Sequence, residues 1–188
     1  MKSPLRPLTP FLWPAAAATA LLLAGCTSMT PEQCKVADWY QVGLEDGSHG
    51  EPPRSQLADY AKDCAEVGVR PDAERYRTGW EAGIPRFCTP YSGWREGTQG
   101  NTSKQDACRG RPSEGAFAMA LGSGLQVHRT QQSLNSNDSE IRRLEKRLQD
   151  KNLSDKQRGE TRDRLRYLDF EQSRLRRLLA DQERMAPR

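Results

Sequence analysis

The chain has 188 residues, 35% of them hydrophobic and 29% charged, with a mean hydropathy of −0.87. Twenty-nine Lys and Arg against 25 Asp and Glu leave a formal charge of +4, and there are only two histidines. Globular domains usually carry roughly 45–50% apolar residues, so this composition excludes a large buried core and a multi-span membrane protein.

Lys2 and Arg6 form a basic start, and residues 11–24 form an apolar stretch too short to span a bilayer comfortably. It runs into Leu23-Ala24-Gly25-Cys26, which resembles a bacterial lipobox. That resemblance implies removal of residues 1–25 as a signal peptide and lipidation of Cys26, which becomes the new N-terminus. Acylation with more than one chain supplies the lasting anchorage that a single chain does not. Thr27, and not Asp, follows the cysteine, which implies an outer-membrane address facing the periplasm.

Thr30-Pro31-Glu32-Gln33 is a capping box with proline at the first helical position. It predicts a helix with Val36, Tyr40 and Gly43 on one stripe, ending at Asp46-Gly47. Residues 47–53 are a Gly/Pro-rich connector. From Ser55, the spacing of Leu57, Tyr60, Ala61, Cys64 and Val67 predicts an amphipathic helix closed by Gly68. Asp72 caps a third helix bearing Tyr76, Gly79, Trp80 and Gly83. Thr89-Pro90 opens a fourth, with Gly93, Trp94 and Gly97, and Pro112-Ser113 opens a fifth, with Phe117, Ala120 and Gly124.

Besides Cys26 there are four cysteines, Cys34, Cys64, Cys88 and Cys108. An even number in an exported chain predicts two disulfides. Zinc is disfavoured, because no C-x-x-C pair or neighbouring histidine is present, and no cofactor or metal is expected. Antiparallel packing of the first two helices brings Cys34 to Cys64, leaving Cys88 for Cys108.

A small-residue motif repeats: Tyr40-x-x-Gly43-x-x-x-Gly47, Tyr76-x-x-Gly79-x-x-x-Gly83, Gly93-x-x-x-Gly97 and Phe117-x-x-Ala120-x-x-x-Gly124. Residues four apart share a helix face, so each motif predicts close approach of another backbone. Packing is the favoured reading; a glycine-lined groove for a ligand strand or glycan is the alternative.

The ordered set Cys34, Asp38-Trp39, Gly43, Asp46-Gly47, Gly50, Tyr60, Cys64, Gly68, Asp72, Tyr76, Gly79, Gly83, Cys88-Thr89-Pro90, Gly93, Gly97, Gly100 and Cys108 resembles the bacterial lipoprotein family catalogued as domain of unknown function 2799. The resemblance covers residues 34–124. It departs at Ser103 or Lys104, where the family tends to carry tyrosine, and at Ala120, which replaces the last helical glycine. The family has no assigned reaction, so the resemblance implies no catalytic residue.

Residues 138–188 hold 15 Lys and Arg and 11 Asp and Glu. Ile141, Leu144 and Leu148 form one apolar stripe; Leu165, Leu168, Leu175 and Leu179 resume it out of register, with Ser154 and Gln157 forming a capping box at the slip. Two antiparallel helices are therefore predicted, with charges facing solvent. The interleaved acids and the export signal argue against nucleic acid as a partner.

The expected fold is all-α: a signal peptide over 1–25, a small disulfide-stapled helical domain over 26–125, and a charged, coiled-coil-like antiparallel hairpin over 126–188. The expected function is that of a non-catalytic envelope lipoprotein, held to the membrane by its lipid anchor, with an envelope protein or peptidoglycan as partner. One alternative is a ligand- or glycan-binding module with Trp39, Trp80 and Trp94 as stacking platforms. The other is a cell-wall enzyme using Asp38, Asp46, Glu81 or Glu96, although no motif sets two of them about a substrate.

Overall fold

The computed structural model describes residues 28–187. The predicted signal peptide and Cys26 lie outside the described residues. Seven α-helices and no strands occur among those described: α1 (Pro31–Val36), α2 (Trp39–His49), α3 (Pro53–Ala65), α4 (Ala73–Phe87), α5 (Pro90–Thr98), α6 (Glu114–Leu148) and α7 (Asp155–Arg184).

Both arms of the first capping box form: Thr30 Oγ1 accepts from the Gln33 amide, and Gln33 Oε1 accepts from the Thr30 amide. The single helix expected after it is two. Ala37 and Asp38 are extended, and the Asp38 carboxylate accepts from the Tyr40 amide at 3.0 Å to start α2. Asp38 also takes Arg75 of α4 at 2.9 Å. A short carboxylate that bonds the backbone two residues on competes with helix continuation, and here it wins. Val36, expected on the apolar stripe, is consequently 83% exposed.

The glycine motifs zip helices together in pairs. A Cβ on Gly43 would lie 2.0 Å from the Tyr76 carbonyl oxygen, and one on Gly79 would lie 1.9 Å from that of Tyr40. Gly47 faces the Trp80 carbonyl and Gly83 that of Leu44 in the same way. The motifs of α2 and α4 thus interlock backbone to backbone. Those of α5 and α6 repeat the arrangement: Gly93 faces the Phe117 carbonyl, Gly97 that of Leu121, and Gly124 that of Trp94. Facing backbone fills the surfaces of the motif glycines, as the packing reading expects.

The four motifs therefore resolve into two copies of one zipped pair. The copies end alike: Gly50 (φ +70°) rests on the Phe87 ring, and Gly100 (φ +75°) on the His128 ring. In each, the next residue's amide returns to the helix, Glu51 to the Asp46 carbonyl and Asn101 to that of Glu96, both at 2.9 Å. Only glycine combines a left-handed turn with a ring pressed on its α-carbon.

Two disulfides are present, Cys34–Cys64 and Cys88–Cys108, with Cα separations of 5.4 and 5.6 Å. The first joins α1 to α3, and the second ties the end of α4 to the turns before α6. Each sits in its own apolar cluster, Cys34 and Cys64 with Trp39, Tyr60 and Tyr76, Cys88 and Cys108 with Phe87 and Phe117. Closing loops this short contributes about 3 kcal/mol each in the chain-entropy account.

α6 runs unbroken for 35 residues. The expected division between residues 125 and 126 falls inside it. Its first half zips to α5 through Phe117, Leu121 and Gly124, and its second half packs on α7. The helix continues through Gly122 and Gly124, and at Gly124 the backbone of α5 lies against it, with the Trp94 carbonyl and Gly97 facing that glycine. The charged hairpin is formed by this second half and α7. Leu134 and Leu144 are buried on one helix, and Leu168, Gln172 and Leu175 on the other. Arg164 clasps Glu140 across them. The capping box at Ser154 forms, and Arg158 closes the turn by donating to the Leu148 and Asp150 carbonyls.

Candidate functional site

The first zipped pair ends at a buried carboxylate. Asp46, near the end of α2, accepts from the Tyr76 hydroxyl of α4 at 2.7 Å and from the Tyr60 hydroxyl of α3 at 3.1 Å. Burial pushes the Asp46 carboxyl above its ordinary value of 3.8, opposed by the two phenols and reinforced by nearby Glu51. Burial and the adjacent carboxylate push both phenols far up, so they remain donors. The cluster joins three helices, with both carboxylate oxygens engaged.

Beside it, α3 and α4 border a groove of about 330 Å³ lined by Pro53, Leu57, Tyr76 and Trp80, with Arg54 and Arg77 at its edge. A smaller lobe of about 180 Å³, between Pro52, Lys104 and Asp106, shares Pro53 and Trp80 with it. Lys104 straps this end together. Its ammonium donates to the His49 carbonyl at 2.9 Å and to Glu51 at 2.7 Å, and lies 5.8 Å from the Phe87 ring centre.

The candidate carboxylates serve separate structural contacts. Asp38 caps α2 and holds Arg75; Asp46 holds the two tyrosines; Glu81 pairs with Arg111 at 2.7 Å; buried Glu96 accepts from Asn101 at 2.6 Å. The tryptophans are also dispersed. Trp39 (8% exposed) packs on Tyr60, and Trp80 (6%) is covered by Arg111 and donates to the Glu51 carbonyl. Both belong largely to the core, where a domain this small places its largest apolar side chains, and Trp80 also lines the groove between α3 and α4. Trp94 is half-buried, and its indole N–H finds no acceptor among the described residues.

The sequence reading missed the Asp46–Tyr60–Tyr76 cluster, because its members lie on three helices. It also missed the outer face of α7, where Tyr167 and Phe170 are 55% and 65% exposed. A three-residue spacing away from the leucine stripe was the available signal. No helix among the described residues is long and apolar enough to cross a membrane.

Residues 38–126 match the family described as "Protein of unknown function (DUF2799)". This segment belongs to that family. Within this chain the DUF2799 segment begins at the Asp38 cap of α2 and ends in α6 after Gly124. It therefore contains both zipped pairs, the Asp46 cluster and the Cys88–Cys108 bridge. It leaves out α1 with Cys34, and most of the hairpin. No curated protein and no solved structure matches the chain.

Proposed function

We propose that the protein is a non-catalytic lipoprotein of the cell envelope, anchored in the outer membrane through Cys26 and facing the periplasm. The DUF2799 segment is its rigid body, and the α6–α7 hairpin presents a surface to a protein or wall partner. The observation that carries this reading is the outer face of α7. A chain this lean in apolar residues leaves Tyr167 and Phe170 in solvent, where they contribute nothing to its own core.

The anchor half rests on Leu23-Ala24-Gly25-Cys26 behind a basic start. The Ser28 and Met29 amides both donate to Asp63, and Met29 is buried beside Cys64. The folded body thus starts two residues after the proposed anchor, which favours a domain held on the membrane surface over one on a long tether. The non-catalytic half is supported by the separate structural contacts of the four candidate carboxylates.

Metabolic labelling with a fatty acid and membrane fractionation test the anchor. The wild-type chain should take the label and sediment with outer membranes, and Cys26→Ala should do neither. An unlabelled wild-type chain would refute the anchor. Turnover of purified peptidoglycan abolished by a single carboxylate substitution would refute the non-catalytic reading.

A further inference from the structure

The face of α7 turned away from α6 carries a second helical seam, with members alternately four and three residues apart. Tyr167 and Phe170 occupy its centre. Glu160 and Asp163 precede them, Arg174 and Arg177 follow, and Lys156 and Asp181 lie outermost. All eight are exposed. Alternating spacings of four and three are the pattern that lets one helix seat against another along its length.

The charges on this seam are antisymmetric about the point midway between Leu168 and Asp169. Laid antiparallel on itself about that point, the seam sets each Tyr167 opposite the other copy's Phe170. The next layer on either side sets Asp163 against Arg174, the layer beyond sets Glu160 against Arg177, and the last sets Lys156 against Asp181. Every charged layer joins opposite signs. A two-fold interface requires this self-complementarity, because each contact occurs twice.

We propose that this seam binds the same seam of a second copy of the chain, antiparallel, making the two hairpins a four-helix arrangement. The proposal deepens the partner-binding half of the function above by naming the partner, and it makes no use of the lipid anchor. The existing pairs Asp163–Arg166 and Glu171–Arg174 do not oppose it strongly, since exposed pairs three residues apart contribute little. Charged residues at seam positions fix register and orientation at some loss of affinity, so the expected dimer is reversible.

The test is charge exchange, read by sedimentation velocity of the full chain in a mild detergent with micelles in large excess. Asp163→Arg sets two arginines together in two symmetry-related layers, and Arg174→Asp sets two aspartates together. Each should weaken self-association about tenfold, from the gain and loss of exposed helix pairs. The double variant Asp163→Arg/Arg174→Asp should return it to the wild-type level. Within one helix these positions are about 16 Å apart along the axis and do not touch, so recovery has to arise between chains. A wild-type chain that stays monomeric, single variants that associate as well as wild type, or a double variant with summed losses would each overturn the proposal.

A photo-crosslinking side chain at Phe170, used in intact cells, gives a second readout that alters no charge. An adduct of twice the chain mass, joined near Tyr167, supports the proposal. Adducts with another protein alone would overturn it while leaving partner binding by the hairpin in place.

Discussion

At the scale of single residues, the glycines divide into two kinds that sequence spacing alone does not separate. Gly79 has no room for a methyl group: its Cβ would sit 1.9 Å from a backbone oxygen of α2, and no side-chain movement relieves that. Gly79→Ala should therefore force α2 and α4 apart and cost about 3 kcal/mol, measured by urea unfolding. Gly159, inside α7, has nothing within 4 Å of the same position. There the substitution should stabilise by about 0.5–1 kcal/mol, because alanine loses less backbone freedom on folding. Asp46 supplies a pH-dependent counterpart. Burial holds its carboxyl above the ordinary value in the folded chain, so keeping it charged opposes folding at neutral pH. That opposition is complete above the folded value and vanishes below the ordinary one. Asp46→Asn keeps an oxygen to accept from Tyr76 and removes the charge. The stability of Asp46→Asn relative to wild type should therefore be greater at pH 7 than near pH 3.5, in parallel urea titrations. An unchanged difference would mean that Asp46 titrates as an ordinary carboxylate.

At the scale of elements, the two bridges replace the apolar contact that short helices lack. α1 has six residues and buries little apart from Cys34, so its place against α3 depends on the bridge to Cys64. The segment between α5 and α6 contains turns and Gly110 at φ +74°, and Cys108 is its fully buried point. Replacing Cys88 and Cys108 together by alanine should cost about 2–5 kcal/mol. Thermal unfolding of the variant beside the wild-type chain checks this. Much of this level was legible in the sequence. The caps at Thr30, Asp72, Thr89 and Ser154 announce their helices, since each side chain bonds an amide only two or three residues away. The break at Asp38 was not legible: Val36, Tyr40 and Gly43 continue a helical stripe in sequence, and Arg75, from a distant segment, helps hold Asp38 out of the helix.

At the scale of the whole molecule, the DUF2799 segment is two copies of one construction, a helix zipped to another through glycines and closed by a left-handed glycine over an aromatic ring. The second copy contains α6, whose second half goes on to form the hairpin. The sequence by itself determined the all-α class, the cysteine pairing, the helix caps, the spacing of the glycine motifs and the leucine stripes of the tail. Most of these depend on local hydrogen bonds and on periodicity, which act over a few neighbouring turns; the cysteine pairing, over 30 and 20 residues, follows from connectors that turn one helix back on the next. Only the tertiary structure decided which motif zips to which, that α6 continues through Gly124, that Tyr60 and Tyr76 meet on Asp46, and which face of α7 stays free. Each of those depends on a facing segment 14 to 39 residues away, supplying a carbonyl, a ring or a charge that nothing in the local sequence specifies.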